Sequence, residues 1–96
     1  MQYDFEWDPN KARANERKHG VTFQQAATVF HDPRALSIYD EEHSGGEDRW
    51  ITLGLSATGR LFVAHHTFEE IEEGRVRIRI FSCRKATKRE VSEYAE

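Results

Sequence analysis

The residues best suited to chemistry in this 96-residue chain form a run of cations near its C-terminal end. Within that run, Val76, Ile78 and Ile80 alternate with arginines, so we expect the arginines to line one face of a strand, roughly 6–7 Å apart. Such a row can follow a phosphodiester backbone, because a guanidinium group can bind phosphate bidentately. The cations of residues 75–89 are Arg75, Arg77, Arg79, Arg84, Lys85, Lys88 and Arg89, with no acid among them.

The overall net charge of −3 conceals this row. The chain has 14 basic and 17 acidic residues, so residues outside 75–89 hold seven cations against all 17 acids, a charge of −10. Two interpretations stay open. The row binds nucleic acid, or it is an ordinary solvated strand face that pairs with the acidic stretches at 40–48 and 69–73. The single sign of the row favours nucleic-acid binding, since solvated faces usually mix charges.

The histidines are the side chains suited to proton transfer near neutral pH. His65 and His66 are adjacent in a predicted strand, so they face opposite sides of it and cannot hold one metal ion together. No pair has the spacing of a helical or HxH metal site, so we expect no metal. The sequence also lacks a phosphate loop, a dinucleotide fingerprint and a G-x-S-x-G elbow, so we expect no cofactor. The five histidines are His19, His31, His43, His65 and His66.

Two further residues have two interpretations each. Cys83 is the single cysteine, which excludes an intramolecular disulfide and a cysteine-based zinc site. Its basic neighbours could lower the pKa of the thiol, or the residue could be a small apolar filler at a strand end. Trp50 is opposite in parity to Ile51 and Leu53, so it could stack on a base beside the arginines or pack beneath a helix, which we favour.

Local patterns place these residues on elements. Residues 3–7 alternate as a short strand, and Asp8-Pro9 starts a helix that we expect to stop at Gly20. A capping box formed by Thr22 and Gln25 starts a second helix, which we expect to extend through Phe30.

After the second helix the sequence pattern predicts four strands. Their connections are short and turn-like, which implies an antiparallel meander. The last helix begins at a second capping box, Thr87 and Glu90. Helices grouped around a run of strands predict one α+β domain over residues 1–96. The start lacks signal-peptide features and the longest apolar run is Leu61–Ala64, so we expect a cytoplasmic protein. The four strands are predicted at 36–39, 50–55, 61–68 and 76–81.

Taken together, motifs along nearly the whole chain resemble the BrnT toxins of bacterial type II toxin–antitoxin modules. In the first half they are Phe5-Glu6-Trp7-Asp8, Lys11, Asn15, Lys18-His19-Gly20-Val21, Phe23, Ala26, Val29-Phe30 and Asp32-Pro33. In the second half they are His43-Ser44, Glu47, Arg49, Gly54, Ser56, Gly59-Arg60-Leu61, Arg77-Ile78, Ser82-Cys83-Arg84-Lys85-Ala86-Thr87, Glu90 and Tyr94. Two features depart from the pattern: Cys83 stands where alanine is usual, and the hairpin from Phe68 to Gly74 is longer and more acidic.

The resemblance implies a RelE-like fold, here a meander of about four strands with two N-terminal helices and one C-terminal helix. It also implies metal-independent RNA cleavage, in which the substrate 2′-hydroxyl attacks the adjacent phosphate. The implied partner is a BrnA-type ribbon–helix–helix antitoxin, which forms a hetero-oligomer with the toxin and represses the operon through operator DNA. The chemistry needs a base, cations for the phosphorane and a donor to the leaving oxygen.

Residue types then assign candidate roles. Phosphate binding and stabilisation fall to Arg49, Arg79, Arg84 and Lys85. Proton transfer or positioning falls to His43, His65 and Tyr94, although Tyr94 could instead be the last core contact of a short helix. Nucleic acid would run along Arg75, Arg77, Arg79, Lys88 and Arg89. The alternative function is a non-catalytic module that binds nucleic acid or an antitoxin, and it predicts salt-sensitive binding without cleavage products.

Overall fold

The computed structural model describes all 96 residues and has an α+β fold with three helices and a six-stranded sheet. The strand order is β1-β6-β4-β3-β2, and β5 also pairs with β6. The helices are α1 (Pro9–His19), α2 (Phe23–Ala27) and α3 (Lys88–Ala95), with 3-10 turns at Thr28–His31 and Glu41–His43. The strands are β1 (Gln2–Glu6), β2 (Leu36–Tyr39), β3 (Arg49–Leu55), β4 (Leu61–Thr67), β5 (Glu69–Glu72) and β6 (Arg75–Lys85).

The predicted starts of the three helices and the predicted end of the first are confirmed. The Asp8 side chain accepts a hydrogen bond from the Asn10 backbone, and α1 ends at Gly20 in the left-handed conformation that glycine adopts without strain. Both capping boxes form, at Thr22 and at Thr87. The second helix is shorter than predicted as an α-helix, because its last turn tightens to a 3-10 helix over Thr28–His31.

The antiparallel meander is confirmed, with β4 central between β3 and β6. The sheet contains two more strands than the four predicted. The first strand joins the same sheet, parallel to β6, so that Gln2 lies opposite Arg75 and Glu6 opposite Arg79. The acidic segment Glu69–Glu72 also forms a strand, since a turn at Gly74, with a φ of 77°, folds it back onto β6.

The last strand extends to Lys85 instead of ending at Phe81 as predicted. A bulge opposite His65 and His66 interrupts its alternation, and pairing with β4 then resumes through Lys85. The buried Asn15 side chain fixes this part of β6 to α1: Nδ2 donates to the Cys83 carbonyl at 2.8 Å and Oδ1 accepts from the Cys83 N–H at 3.0 Å. A two-residue period cannot be continued across a bulge, which is why the sequence pattern stops short.

The two faces of the sheet differ in character. The helix face, covered by α1 and α2, carries the main core, which includes Phe23, Ile78 and Ile80. We call the opposite face the basic face, because it carries the arginines that alternate with the buried residues of β6. Trp50 lies directly opposite His66 and therefore on the helix face, away from the arginines. Its ring makes an edge contact with Tyr39 at 5.3 Å.

Candidate active site on the basic face of the sheet

The sheet register brings four of the predicted site residues onto one face. Arg49 lies opposite Thr67 on β4, and His65 lies opposite Ser82 on β6. Arg79 and Arg84 belong to β6, on the same side as Ser82. The basic face therefore combines an imidazole with three guanidinium groups, drawn from three neighbouring strands.

His65 is the histidine of this face that the fold desolvates. It is partly buried. Burial lowers the pKa of His65 below its ordinary value, and the positive charge of Arg84 lowers it further. Asp40 acts in the opposite direction but does not reverse the shift. The imidazole is therefore neutral at pH 7 and is able to accept a proton.

Arg84 is held in place by the first turn of α3. Its Nη1 and Nη2 atoms donate to the two carboxylate oxygens of Glu90 at 2.7 and 2.9 Å. The Thr87 backbone N–H also donates to Glu90, at 2.8 Å. The bond from Arg84, followed by the bond from Thr87, lowers the pKa of Glu90 to about 2. Because three of its five N–H groups point to Glu90 and the Lys85 carbonyl, the guanidinium keeps two N–H groups for a further acceptor.

Arg49 and Arg79 share one aromatic platform. Their guanidinium carbons lie 4.1 and 5.1 Å from the Phe81 ring centroid, and the Lys11 ammonium lies 5.6 Å from it. Glu47 pairs with Arg79 at 2.5 Å and lies 3.7 Å from Arg49. The buried Nε of Arg49 has no hydrogen-bond partner. These side chains line an open cavity of about 300 Å³ that is large enough for a phosphate group.

His43 sits at the edge of this face on a short 3-10 turn. Its Nδ1 lies 3.0 Å from a carboxylate oxygen of Asp40, which is buried, and its side chain is otherwise exposed. The Ser44 hydroxyl ties the turn to β3, because it donates to the Asp40 carbonyl and accepts from the Arg49 N–H at 2.9 Å. The carboxylate orients the ring and leaves its Nε2 directed away from Asp40.

Tyr94 is placed apart from these groups. Its hydroxyl donates to Asp32 at 2.6 Å, and its ring stacks under the Arg34 guanidinium at 5.4 Å. The bond to Asp32 raises the pKa of Tyr94, as does desolvation. The side chain thus links α3 to the segment that precedes β2, and it makes no hydrogen bond with the cations of the basic face.

The remaining predicted nucleic-acid contacts are distributed along β6 and α3, and most are paired with acids. Arg75 pairs with Asp4 at 2.7 Å and with Glu72 at 3.4 Å. Lys85 and Lys88 form no ion pair, and both are exposed. The two interpretations of the row therefore both describe part of it, since acids from β1, β5 and α3 flank the arginines. The other pairs are Arg77 with Glu6 and Arg89 with Glu93.

Three contributions to this site were not predicted from residue type. Phe81 was assigned only to a strand, and its role as a platform depends on the bulge. Glu47 and Asp40 were not assigned roles, and each holds a predicted residue in place. Asp40 follows β2 and precedes His43 by three residues, a spacing that could have indicated the pair.

The thiol of Cys83 lies on the helix face and is fully buried. Burial raises its pKa to about 12, even though neighbouring Arg84 acts in the opposite direction. Of the two interpretations of this residue, the structure supports the apolar filler.

No three or more His, Cys, Asp or Glu side chains come together as a potential metal site. None of the helices has the length and apolarity that crossing a membrane requires.

Comparison with known proteins gives a family and a fold. Residues 7–90 match the family model described as "Ribonuclease toxin, BrnT, of type II toxin-antitoxin system". The fold is similar to the 1.1 Å crystal structure of the Brucella abortus ribonuclease toxin BrnT, with a TM-score of 0.60 and 18% identity over 92% of this chain and 100% of that one. No curated protein matches the sequence.

Proposed function

The chain belongs to the BrnT family of ribonuclease toxins of type II toxin–antitoxin systems, and we propose that it cleaves RNA on the basic face without a metal ion. The observation that carries this proposal is the placement of a neutral imidazole, His65, on the same face as Arg84. Attack of a ribose hydroxyl on the neighbouring phosphate requires a base to accept the proton and a positioned cation to stabilise the developing negative charge.

In the proposed reaction, the ribose 2′-hydroxyl attacks the adjacent phosphorus. His65 accepts the 2′-hydroxyl proton as the new oxygen–phosphorus bond forms. The bond from phosphorus to the 5′-oxygen breaks, and protonated His43 donates a proton to that oxygen. The products are a 2′,3′-cyclic phosphate and a 5′-hydroxyl end, so atoms and charge balance without a co-reactant.

The arginines stabilise the charge that develops on the phosphate oxygens. Arg84 does so with the two N–H groups that Glu90 and the Lys85 carbonyl leave free, and Arg49 and Arg79 bind the next phosphate in the cavity above Phe81. Lys85, which is unpaired, adds long-range attraction, as does Lys88. Arg75, Arg77 and Arg89 extend the path for the strand, where RNA phosphates must compete with Asp4, Glu6 and Glu93.

The test is incubation of the purified chain with RNA in excess EDTA. We expect cleavage that leaves 2′,3′-cyclic phosphate ends, detected by their resistance to ligation until the cyclic phosphate is removed. Cleavage abolished by EDTA and restored by a divalent cation would contradict the metal-independent reaction. Salt-sensitive RNA binding with intact RNA at excess protein would support the non-catalytic module instead.

Family membership implies an antitoxin partner, and we propose that this partner is a BrnA-type ribbon–helix–helix protein encoded beside the chain. In this proposal the two proteins form a hetero-oligomer in the cytoplasm and bind operator DNA to repress their own operon. Co-expression should restore growth that the chain alone arrests. A gel-shift assay on the promoter fragment should show binding by the complex and not by the chain alone.

A further inference from the structure

β2 is an edge strand at one end of the sheet, so a further strand could pair with its free edge. All four residues of β2 are exposed. The Asp40 N–H donates to the Arg49 carbonyl at 2.8 Å, so by alternation Leu36 and Ile38 direct their backbone groups toward β3. Ser37 and Tyr39 direct theirs outward, which leaves two N–H and two C=O groups available to another strand.

A pocket opens on the helix face beside this edge. Its volume is about 260 Å³ and it is lined by Ser37, Trp50, His66 and Phe68. The polar atoms of its floor are occupied: the Ser37 and Thr52 hydroxyls are 2.7 Å apart, and Thr52 lies 2.6 Å from His66 Nε2. The walls that remain are aromatic. Because serine is small, the pocket stays accessible from the free edge and suits a large apolar side chain.

A second depression lies on the basic face of the same strand. Leu36 and Ile38, which are 46% and 64% exposed, form one wall of a groove of about 160 Å³. Glu90 and Glu93 of α3 form the other wall. A strand added to β2 would direct alternate side chains to the two faces, so it could fill the pocket and the groove at once.

The charges around both depressions indicate the kind of partner. Asp48 and Glu69 border Phe68, and Glu41 and Glu42 follow the end of β2. None of these four carboxylates forms an ion pair. Acidic rims repel RNA, and they would also face each other if a second copy of the chain paired through β2. They attract a basic segment of a different protein.

We propose that the free edge of β2 accepts an extended, basic segment of a partner protein, whose alternate large apolar side chains fill the pocket at Trp50 and the groove at Ile38. The identity of that partner as the antitoxin rests on the proposed function. The segment would lie beside the basic face, where it would also restrict access of RNA to the site.

The test measures the affinity of the protein encoded beside the chain, by calorimetry, for three forms of the chain. Ser37→Pro removes an outward N–H without removing a bond to β3, because proline is tolerated at a sheet edge. Ser37→Ala is the matched control, since it loses the same hydroxyl and keeps the N–H. We expect Ser37→Pro to bind about 10-fold more weakly or worse, and Ser37→Ala to stay within about twofold. Circular dichroism confirms that both variants are folded.

The outcomes separate the two proposals. Equal affinity of all three forms would overturn strand addition and leave the antitoxin pairing standing. No binding to any form would overturn the antitoxin pairing, and strand addition with it. Hydrogen exchange supplies the second readout: the complex should protect the amides of Ser37 and Tyr39. Protection of these amides by a non-cleavable 2′-O-methyl RNA instead would assign the edge to nucleic acid and overturn the proposal.

Discussion

Two adjacent histidines of β4 illustrate how the two faces of the sheet differ. His65 is partly open to solvent among arginines, whereas His66 is 1% exposed and packs edge-on against Phe30 at 4.6 Å. Burial lowers the pKa of His66 to about 4. Both rings are thus neutral at pH 7, but only His65 can reach a substrate. Solvent access, more than pKa, is therefore the reason that His65 and not His66 is the proposed base.

The largest effect should come from His65→Asn. If His65 is the base, this variant should cleave RNA about 10²–10⁴-fold more slowly while its melting temperature stays close to that of the native chain. Single-turnover cleavage and a thermal melt measure the two quantities. Native-like cleavage by His65→Asn would remove the imidazole from the mechanism. His43→Asn is the companion variant, and its loss should be confined to the proton-donating step.

The alkylation rate of Cys83 measures how readily the helix face opens to solvent. Because its thiol is buried and has a raised pKa, iodoacetamide at pH 8 should modify it at least about 100-fold more slowly in the folded chain than in urea. Mass spectrometry of timed samples measures both rates. Rapid modification of the folded chain would mean that this face opens readily near β6.

His66 should make stability depend on pH. The unfolded chain binds a proton at His66 near pH 6.5, whereas the folded chain does so only near pH 4, so stability falls as the pH drops through this window. We expect a loss of about 2 kcal/mol between pH 7 and pH 5 from this residue. Urea unfolding at the two pH values gives the difference. A His66→Asn variant is less stable throughout and should lose this part of the pH dependence.

We expect the smallest effect from removing the ion pair between Arg84 and Glu90. Glu90→Gln removes the charge that Arg84 binds and should cost about 1 kcal/mol of unfolding free energy at pH 7. The lowered pKa of Glu90 means that this contribution is present above pH 4.5 and is lost as the pH falls toward 2. Urea unfolding again measures it. Equal stability of Glu90→Gln and native protein at pH 7 would show that solvent screens the pair.

Sequence patterns predicted most of the fold because its local signals are strong. Caps at Asp8, Thr22 and Thr87 and the left-handed stop at Gly20 fix the helices from neighbouring residues alone. The parallel pairing of β1 with β6 joins residues more than 70 positions apart, and no local pattern encodes it.

The site was predictable in its residue types and less so in its arrangement. Alternation correctly placed His65 and His66 on opposite faces and the β6 arginines away from the core. Parity also correctly separated Trp50 from Ile51 and Leu53, but it is Trp50 that lies on the helix face, and Ile51 and Leu53 that lie on the basic face beside α3. The partners that hold Arg84, Arg79 and His43 come from distant or irregular segments, so only the folded chain identifies them.

Single-turnover RNA cleavage by Arg84→Ala and Arg75→Ala, with EDTA present, tests whether the reaction takes place on the basic face. Both arginines lie on the basic face and are bound to carboxylates, but Arg84 lies near His65 at the centre of the sheet, whereas Arg75 lies at the other end of β6. We expect a loss of about 100-fold or more for Arg84→Ala and less than about 10-fold for Arg75→Ala, with both variants folded. Equal losses, or full activity of Arg84→Ala, would contradict this placement of the reaction.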